Sequence, residues 1–447
     1  MANDPNDTGS FRHRPILHVL VFMSRIALRI VSLPLVALLG VVAPAFADEE
    51  PPTEWIEKTG HRVVRLSREP GSSSLYFHQN AFSADGKKLV ITTPRGISAI
   101  DLNTREIELV VPGRARVLVT GRKTGDVYFI RDGAVWAADL DTHDSRSVAP
   151  LPEQLRGRNV AVNADETLLV GLAVDSGAAA EPRRLPANDR SGRLAQRWAA
   201  GVPMVIYTIQ VASGETNIIH HSNEWLNHLQ CSPTDPNQIL FCHEGPWHYV
   251  DRVWVIRTDG SDLRLVHPRT MDMEIAGHEF FGADGKTIWY DLQTPRSLVF
   301  WLAGYNLETG ARTRFHHQRH EWSVHYNISP DGSLFAGDGG GPSSVANQSP
   351  DRRRLNPPGN GQWIYLFRPQ LIAMKGPPAD AGRHVKIGTL RSERLVDLSQ
   401  HDYSLEPNVM FTPDGKWIVF RSNMHGSTHV YAVEVAPVSK DRPRESS

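Results

Sequence analysis

Cysteine is scarce in this chain of 447 residues, where only Cys231 and Cys242 are present. A chain with so few cysteines is not a disulfide scaffold. The two residues stand eleven positions apart with no second pair, so they do not make the ligand pattern of a zinc knuckle. We expect both to be structural. An oxidising compartment would permit a bridge between them, and the sequence leaves open whether one forms.

An excess of charge of either sign is also missing. The formal net charge is -1 at pH 7, and no block of five or six like charges occurs. Nucleic-acid-binding domains usually carry a clustered excess of lysine and arginine, and basic blocks mark membrane surfaces. We therefore expect no nucleic-acid partner and no stable membrane anchor in the mature chain.

Helical periodicity and the common local catalytic motifs are absent as well. No stretch has the period of a convincing amphipathic helix, while 35 glycines and 31 prolines supply many turns. Neither a G-x-S-x-G elbow nor an H-E-x-x-H zinc motif occurs, which argues against a serine peptidase carrying a propeller gate. With 40% hydrophobic and 22% charged residues, the composition is that of a globular protein.

The first 47 residues have the pattern of a secretory signal peptide. An apolar run, Ile30 to Val42, follows two arginines and precedes an Ala-Phe-Ala cleavage site. The run is too short to span a bilayer comfortably. Residues 1–22 make the charged segment long, so we expect synthesis to start at Met23. The mature protein is expected to be exported, either periplasmic or secreted.

Tight-turn pairs recur along the chain between short apolar runs. Each copy reads apolar–x–[PA]–D–G–K–x–apolar, which is typical of a strand, an Asp-Gly turn and a second strand. The clear copies are FSADGKKLVI (82–91), FFGADGKTIWY (280–290), NISPDGSLFAG (327–337) and FTPDGKWIVF (411–420). Degenerate copies are VNADETLLVG (162–171) and CSPTDPNQILFC (231–242).

A second strand–turn–strand element follows each copy, as in SAIDLNTREIELV and WAADLDTHDSRSV. One copy of each element makes a four-stranded antiparallel sheet, the size of a propeller blade. We therefore predict an all-β, seven-bladed β-propeller over residues 48–440 and a disordered tail over 441–447. The blades are expected near 76–111, 115–150, 159–220, 227–267, 277–316, 324–397 and 407–437. Insertions at 174–201 and 338–361 are expected to be surface loops.

Polar residues occupy one equivalent position in six of these repeats, six residues before the turn. In a propeller, the residues that begin the first strand of each blade collect at one mouth of the channel. The bland interpretation is that channel-lining side chains are polar because they are solvated. Three imidazoles and three amides converging on one axis favour a ligand or metal site instead. The six residues are Gln79, Asn159, His228, His278, His325 and Asn408.

Two further stretches add ionisable residues to this mouth. CHEGPWHYVDRVW (242–254) is expected to place His243 and Arg252 next to His228, and DYSLEPNV (402–409) brings Glu406 beside Asn408. The run HHQRHEWSVH (316–325) looks metal-like, but strand alternation points its members to opposite faces, so only His325 is retained from it.

Together these segments resemble the oligogalacturonate lyase family, seven-bladed propellers that cleave short pectin fragments by β-elimination. LYFHQNAFSADGKKLV, FCHEGPWHYVDRVW, GHEFF, VHYNISPDGSLFAGDG and FTPDGKWIVFRSNMHG occur in order. The resemblance covers about 53–437 and is strongest from 222 to 341. CHEGP followed by GHEF at this spacing is specific, whereas the PDG turns are common to many propellers.

The resemblance implies roles for individual residues. It makes Arg252 and His278 the catalytic pair and His325 a manganese ligand. The family's other ligands, a Gln-x-x-His-x-His stretch, fall here on Tyr403, Glu406 and Asn408. Glutamate and asparagine oxygens still suit a hard divalent ion, so we expect a metal at His325, Glu406 and Asn408, most readily Mn²⁺, with Mg²⁺ or Ca²⁺ as alternatives.

The expected activity is β-elimination on short uronate-containing chains. A neutral histidine is a suitable base for the C5 proton, and arginine is a good carboxylate clamp or charge stabiliser. We therefore assign His278 as base and Arg252 as clamp, although the family's arginine has also been given the base role. His228, His243, Gln79 and Asn159 are the expected substrate contacts. The alternative is a non-catalytic propeller that binds a sugar acid.

Overall fold

Short antiparallel strands make up nearly all of the regular structure. The computed structural model describes residues 50–177, 192–342, 344–347, 362–373 and 384–438. These ranges contain 29 strands, one α-helix and two short 3-10 helices, so the all-β prediction is confirmed. Within them, no helix has the length and apolarity needed to cross a membrane. The predicted signal segment 1–47 and the tail 441–447 lie outside the described residues.

Four sheets have four strands each, in antiparallel order. The first contains β3 (Ser73–Ser74), β4 (Lys88–Thr93), β5 (Gly96–Asp101) and β6 (Ile107–Pro112). The second contains β7 (Arg116–Thr120), β8 (Val127–Arg131), β9 (Ala134–Ala138) and β10 (Ser145–Pro150). The third contains β11 (Leu155–Val162), β12 (Leu168–Asp175), β13 (Met204–Gln210) and β14 (Thr216–Ser222). The fourth contains β15 (Trp225–Cys231), β16 (Gln238–Glu244), β17 (Val253–Arg257) and β18 (Arg264–Leu265).

Two larger sheets complete the chain. The eight-stranded sheet contains β19 (Ile275–Phe281), β20 (Thr287–Gln293), β21 (Phe300–Asn306), β22 (Arg312–His317), β23 (Tyr326–Ile328), β24 (Phe335–Gly337), β25 (Trp363–Leu371) and β26 (Lys386–Asp397). It consists of two antiparallel four-strand runs, joined where β22 pairs with β26 in parallel. The five-stranded sheet contains β1 (Glu54–Ile56), β2 (Arg62–Arg65), β27 (Met410–Phe411), β28 (Trp417–Ser422) and β29 (His429–Glu434).

The repeated Asp-Gly pairs form the turns between first and second strands. Asp85 Oδ1 accepts hydrogen bonds from Ser83 Oγ at 2.7 Å and from the Lys87 backbone N at 3.0 Å. Gly86 follows with φ 73°, a left-handed conformation that glycine adopts without steric cost. Asp331 makes the equivalent bonds to a serine hydroxyl and a backbone NH. The turn therefore rests on the same side-chain chemistry in separate sheets.

Two elements were not expected from the sequence. Strands β1 and β2 precede the first predicted repeat and complete the sheet of β27–β29, with Val63 opposite Val433. The insertion 174–201, predicted to be a loop, contains helix α1 (Gly192–Ala199). The prediction that no helix is present is thus wrong for this segment. Two turns of helix carry too few apolar residues for a 3.6-residue period to be visible.

Both cysteines are free thiols within the fourth sheet, Cys231 on β15 and Cys242 on β16. Burial raises the pKa of Cys231 to about 12 and the pKa of Cys242 well above its ordinary value. Such thiols stay protonated at neutral pH and are weak nucleophiles.

The hydrophobic core is divided among interfaces between neighbouring sheets. For example, Leu118 and Tyr128 of the second sheet pack with Val160 and Leu169 of the third. The first strands β7, β11 and β15 contact one another in that order, as do β23 and β27. The residues that begin these strands are consequently brought together.

Candidate active site

Three of the predicted site residues have left-handed backbone conformations. The φ angles are 48° at His228, 47° at His278 and 56° at Asn408. Strand pairing shifts register beside two of them, between Asn227 and Gln230 and between Gly277 and Phe280. An extra residue in a bulge turns its side chain away from the normal strand alternation. Histidine and asparagine are among the non-glycine residues enriched at positive φ. The positive φ accounts for the residue type at these three of the six repeat positions.

His278 forms a buried pair with Asp291. Its Nδ1 lies 2.8 Å from Asp291 Oδ1, and the carboxylate is fully buried on β20. Since an ionised carboxylate only accepts, Nδ1 carries the proton and Nε2 keeps its lone pair. Burial alone lowers the pKa of His278, but the Asp291 charge and hydrogen bond outweigh it and raise that pKa above the ordinary value.

His325 forms an equivalent pair with Asp338. Its Nδ1 lies 2.8 Å from Asp338 Oδ2, and its backbone N donates to Oδ1 of the same carboxylate at 2.8 Å. Each histidine and its aspartate are 13 residues apart, because Asp291 lies on β20 and Asp338 directly follows β24, the second strands of the two four-strand runs. The rings of His278 and His325 lie 5.0 Å apart between centroids, nearly perpendicular to each other.

Of the predicted metal ligands, Glu406 lies near Nε2 of His325, and the backbone N of Asn408 donates to Asp338, the partner of His325, at 3.3 Å. His325 is 0% exposed, and its Nε2 accepts a hydrogen bond from Tyr76 OH at 3.1 Å and lies 3.8 Å from Glu406 Oε2. Asn408 is buried, and its Oδ1 has no hydrogen-bond partner within the described part of the chain. A nitrogen lone pair, a carboxylate and an orphaned amide oxygen fit a hard divalent cation. Tyr403 does not belong to this set, because its hydroxyl donates to the backbone carbonyl of Asp338 at 2.8 Å.

Arg252 is held between two carboxylates. Its Nη1 donates to Glu244 at 2.6 Å, its Nε donates to Glu279 at 3.2 Å, and Trp247 lies over the guanidinium at 4.7 Å. The side chain is only 1% exposed. Burial alone lowers its pKa, but the neighbouring Cys242, Glu279 and Glu244 raise it well above the ordinary value. Arg252 therefore stays charged and is unsuited to act as a base. Its Nη2 makes no hydrogen bond to any described residue.

His228 lies beside the arginine cluster and stays neutral. Its Nε2 is 3.7 Å from Glu244 Oε2. Burial, with a smaller contribution from the Arg252 charge, lowers the pKa of His228 to about 3. His78 was not predicted, because the repeat position falls on its neighbour Gln79. Its ring lies near those of Tyr76 and His228. Burial lowers the pKa of His78 to about 3 as well. Two adjacent polar residues in a Tyr-Phe-His-Gln stretch were the available signal for it.

A cavity of about 390 Å³ extends from these residues. We call it the polar cavity. Gln79 accepts a hydrogen bond from the Tyr76 backbone at 3.0 Å, and Asn159 donates to Asn227 at 3.4 Å. Gln79 and Asn159, two of the four predicted substrate contacts, line this cavity. The residues that define it are Tyr76, His78, Gln79, Arg122, Asn159 and His228.

The structure does not bring His243 into this group. Alternation along β16 directs Cys242 and Glu244 to one face and His243 to the other. His243 stacks on Trp254 at 4.8 Å between ring centroids. Its predicted role as a substrate contact is therefore unsupported by its position.

A second set of possible metal donors lies near the arginine. The ligand atoms of His228, Cys242 and Glu244 are within 4.8 Å of one another. Glu244, however, already pairs with Arg252, and a cation placed there would face the guanidinium at close range. The protonated thiol of Cys242 is also a poor ligand. The donor set at His325 is the better fit.

The fold and this site define a class: an all-β protein in which two buried histidine–aspartate pairs lie beside a buried arginine and a polar cavity. A family model described as oligogalacturonate lyase matches residues 53–439. The chain belongs to the oligogalacturonate lyase family, which confirms the expected resemblance and the expectation of a lyase enzyme.

Individual relatives agree with this placement. An oligogalacturonate lyase of Dickeya dadantii is 26% identical over 392 residues, covering 84% of this chain and 94% of that protein. An oligogalacturonide lyase of Pectobacterium atrosepticum is 24% identical over 398 residues, with the same coverage of 84% and 94%.

Two solved structures share the fold. An oligogalacturonate lyase in complex with manganese has a TM-score of 0.67 at 24% identity, and an oligogalacturonate lyase from Vibrio parahaemolyticus has a TM-score of 0.68 at 22% identity. In each case 86% of this chain and 96% of the other chain are covered.

Proposed function

We propose that this protein cleaves short uronate-containing oligosaccharides, such as galacturonate oligomers, by β-elimination with His278 as the base. The observation that carries the proposal is the His278–Asp291 pair, whose ring lies 5.0 Å from that of His325 in the donor set. A base with a fixed lone pair beside a cation site is the combination that removal of a proton next to a carboxylate requires.

We also infer that the sheets are the seven blades of a β-propeller. Four sheets have four strands each, the eight-stranded sheet contains two such runs, and β27–β29 complete a seventh with β2. Closure of the last blade by a strand from the start of the mature chain supports this interpretation. The polar cavity is then part of the central channel.

His278 removes the C5 proton through Nε2 in this proposal. The electron pair of the C5–H bond forms the C4=C5 double bond, the C4–O bond breaks, and the departing oxygen takes up a proton. Asp291 holds the Nδ1 proton and stabilises the imidazolium that forms. Tyr76 and Trp247 flank this ring pair and exclude bulk water from it.

A divalent cation, most readily Mn²⁺, would be held by His325, Glu406 and Asn408, and would supply neutralisation of the substrate carboxylate. Glu406 is the most open of these ligands, with 47% of its side chain exposed, so it borders the entry to the site. Asp338 orients His325 from behind, as partners of metal-bound histidines generally do.

Arg252 contributes positive charge near the reacting group, with Nη2 as its one uncommitted nitrogen. Its double pairing fixes the guanidinium in place, which suits a charge stabiliser better than a mobile clamp. Export through the predicted signal segment would place the enzyme where oligosaccharides from outside the cell are available.

One observation favours a second function, a non-catalytic sugar-acid-binding propeller. Arg252 is 1% exposed, is already paired and has Trp247 over its guanidinium, so little of it is open to a substrate. The experiment is to incubate the metal-loaded protein with galacturonate dimers and trimers and follow ultraviolet absorbance of 4,5-unsaturated product. Product that disappears on chelation and returns with Mn²⁺ supports the lyase. Saturable uronate binding by calorimetry without product establishes the binding protein.

A further inference from the structure

The polar cavity is lined by a positively charged side chain, Arg122, that the proposed chemistry does not use. Arg122 directly follows Gly121 at the end of β7, and its side chain lines the wall of the cavity that also carries His78 and His228. It lines an adjoining cavity of about 340 Å³ as well, together with His78 and Gln79. Arg122 therefore stands where the two cavities meet.

Arg122 is open to solvent and yet surrounded by protein. Its side chain is exposed to solvent, and burial by the neighbouring walls still lowers the pKa of its guanidinium below the ordinary value. No carboxylate contributes to that pKa. Within the described ranges, Arg122 makes no side-chain hydrogen bond or ion pair. Arg252, by contrast, has a carboxylate on either side.

A guanidinium that lines a cavity and has no ion pair within the described ranges is available to bind an anion. The surrounding walls strengthen such a pair, because charges near protein are screened less than charges in bulk water. The planar fork of arginine matches a carboxylate with two parallel hydrogen bonds. The walls next to Arg122 add amides from Gln79, Asn159 and Gln230, which are suited to sugar hydroxyls. The ligand that suits Arg122 and these amides is a carboxylate carried by a hydroxyl-rich molecule.

We propose that Arg122 binds the carboxylate of a second uronate, the unit adjacent to the one from which His278 takes its proton. The inference rests on the proposed function for the orientation of the substrate, but the binding of a uronate at Arg122 is measurable without turnover. One continuous cavity of about 390 Å³ connects Arg122 to Tyr76 and His228 beside the base, and this volume is in the range of small-ligand sites. Through Arg122, the enzyme would then prefer substrates in which the unit next to the reacting uronate carries a free carboxylate.

The first test compares Arg122→Gln with Lys123→Gln. Lys123 is the next residue, is exposed, and lines neither cavity, so its substitution removes the same charge from the same turn. On unesterified digalacturonate, Arg122→Gln should lower kcat/KM by about tenfold or more, the range expected for loss of a hydrogen bond between charged groups, while Lys123→Gln leaves it unchanged. On the dimer whose non-reacting uronate is a methyl ester, wild type and Arg122→Gln should be equal. Equal loss on both substrates, or on neither, overturns the proposal.

The second test does not depend on turnover. Thermal unfolding is measured with free galacturonate and with inorganic phosphate for the wild type and both variants. Galacturonate should raise the Tm of the wild type and of Lys123→Gln clearly more than that of Arg122→Gln, which keeps only the binding site beside His278. An equal rise in Arg122→Gln overturns the proposal, and an equal rise with phosphate overturns the assignment to a uronate. An inactive wild type whose Tm still responds through Arg122 refutes the lyase while leaving this site intact.

Discussion

Asp291→Asn is the substitution that most sharply isolates the base. Asp291 is fully buried and contacts His278 Nδ1 at 2.8 Å, while Gln293 lies at the edge of hydrogen-bonding distance from its other oxygen, at 3.5 Å. Asparagine keeps the shape of the side chain but removes its charge, and its NH₂ group can donate to Nδ1. That arrangement would leave the lone pair on Nδ1 and the proton on Nε2, the reverse of what proton removal needs.

The expected loss is large because both tautomer and basicity change. General-base catalysis contributes roughly 10²–10⁴-fold to rate, and we expect kcat of Asp291→Asn to fall by that range. Asp291 is also what raises the pKa of His278, since burial by itself lowers it. Without the carboxylate, that pKa should drop below its ordinary value of about 6.5.

The assay is the pH dependence of unsaturated-product formation. His278 acts only when neutral, so wild-type activity falls as pH decreases through its raised pKa, above about 6.5. In Asp291→Asn the acidic limb should move to lower pH while the plateau falls. A plateau within about threefold of wild type, or a low plateau with an unmoved acidic limb, would refute the role assigned to this pair.

Asp338→Asn is the matched control, because Asp338 stands 13 residues after His325 as Asp291 does after His278. Loss of a carboxylate behind a metal-binding histidine typically weakens metal affinity by about 10–100-fold. Excess Mn²⁺ should therefore restore Asp338→Asn and leave Asp291→Asn impaired. Rescue of both variants by metal would contradict the division into a base and a ligand.

Three further predictions concern the metal, the buried charges and export. Glu406→Ala should weaken Mn²⁺ binding by about tenfold or more, as measured by metal analysis after dialysis, while Glu393→Ala, a similarly exposed glutamate paired with Arg368, should not. Glu279→Ala leaves Arg252 with one carboxylate and should lower the free energy of unfolding in urea by about 3–5 kcal/mol; a loss under about 1 kcal/mol would contradict the burial argument. N-terminal sequencing of the exported protein should find Asp48 as the first residue. An exported protein that still carries residues from 1–47 would contradict the signal-peptide prediction.

The sequence predicts the strands and turns well because their signals are local. An Asp-Gly pair specifies its own turn through side-chain bonds such as Asp85 to Ser83, and apolar runs on both sides form strands. The pairing of β2 with β29 has no local signal, since its partners, such as Val63 and Val433, are far apart in the sequence. Helix α1 is missed because it is too short for its period to stand out.

The candidate site is predictable where the repeat sets the position, as for His278, His325 and Asn408. Asp291 and Asp338 are not found that way, because they lie on or directly after the second strand, whereas the repeat position precedes the turn. His243 is misplaced because a motif read as one unit ignores the alternation that turns it onto Trp254. Arg122 escapes notice because its position in the cavity wall comes from the tertiary structure and has no local sequence signal.

The most direct test of the account is product formation by His278→Asn. Asparagine tolerates the left-handed backbone at this position, where φ is 47°, so the variant removes the base with little strain on the fold. With galacturonate dimer and saturating Mn²⁺, we predict native-like circular dichroism, retained uronate binding and loss of unsaturated product. Product formation at the wild-type rate would contradict His278 as the base.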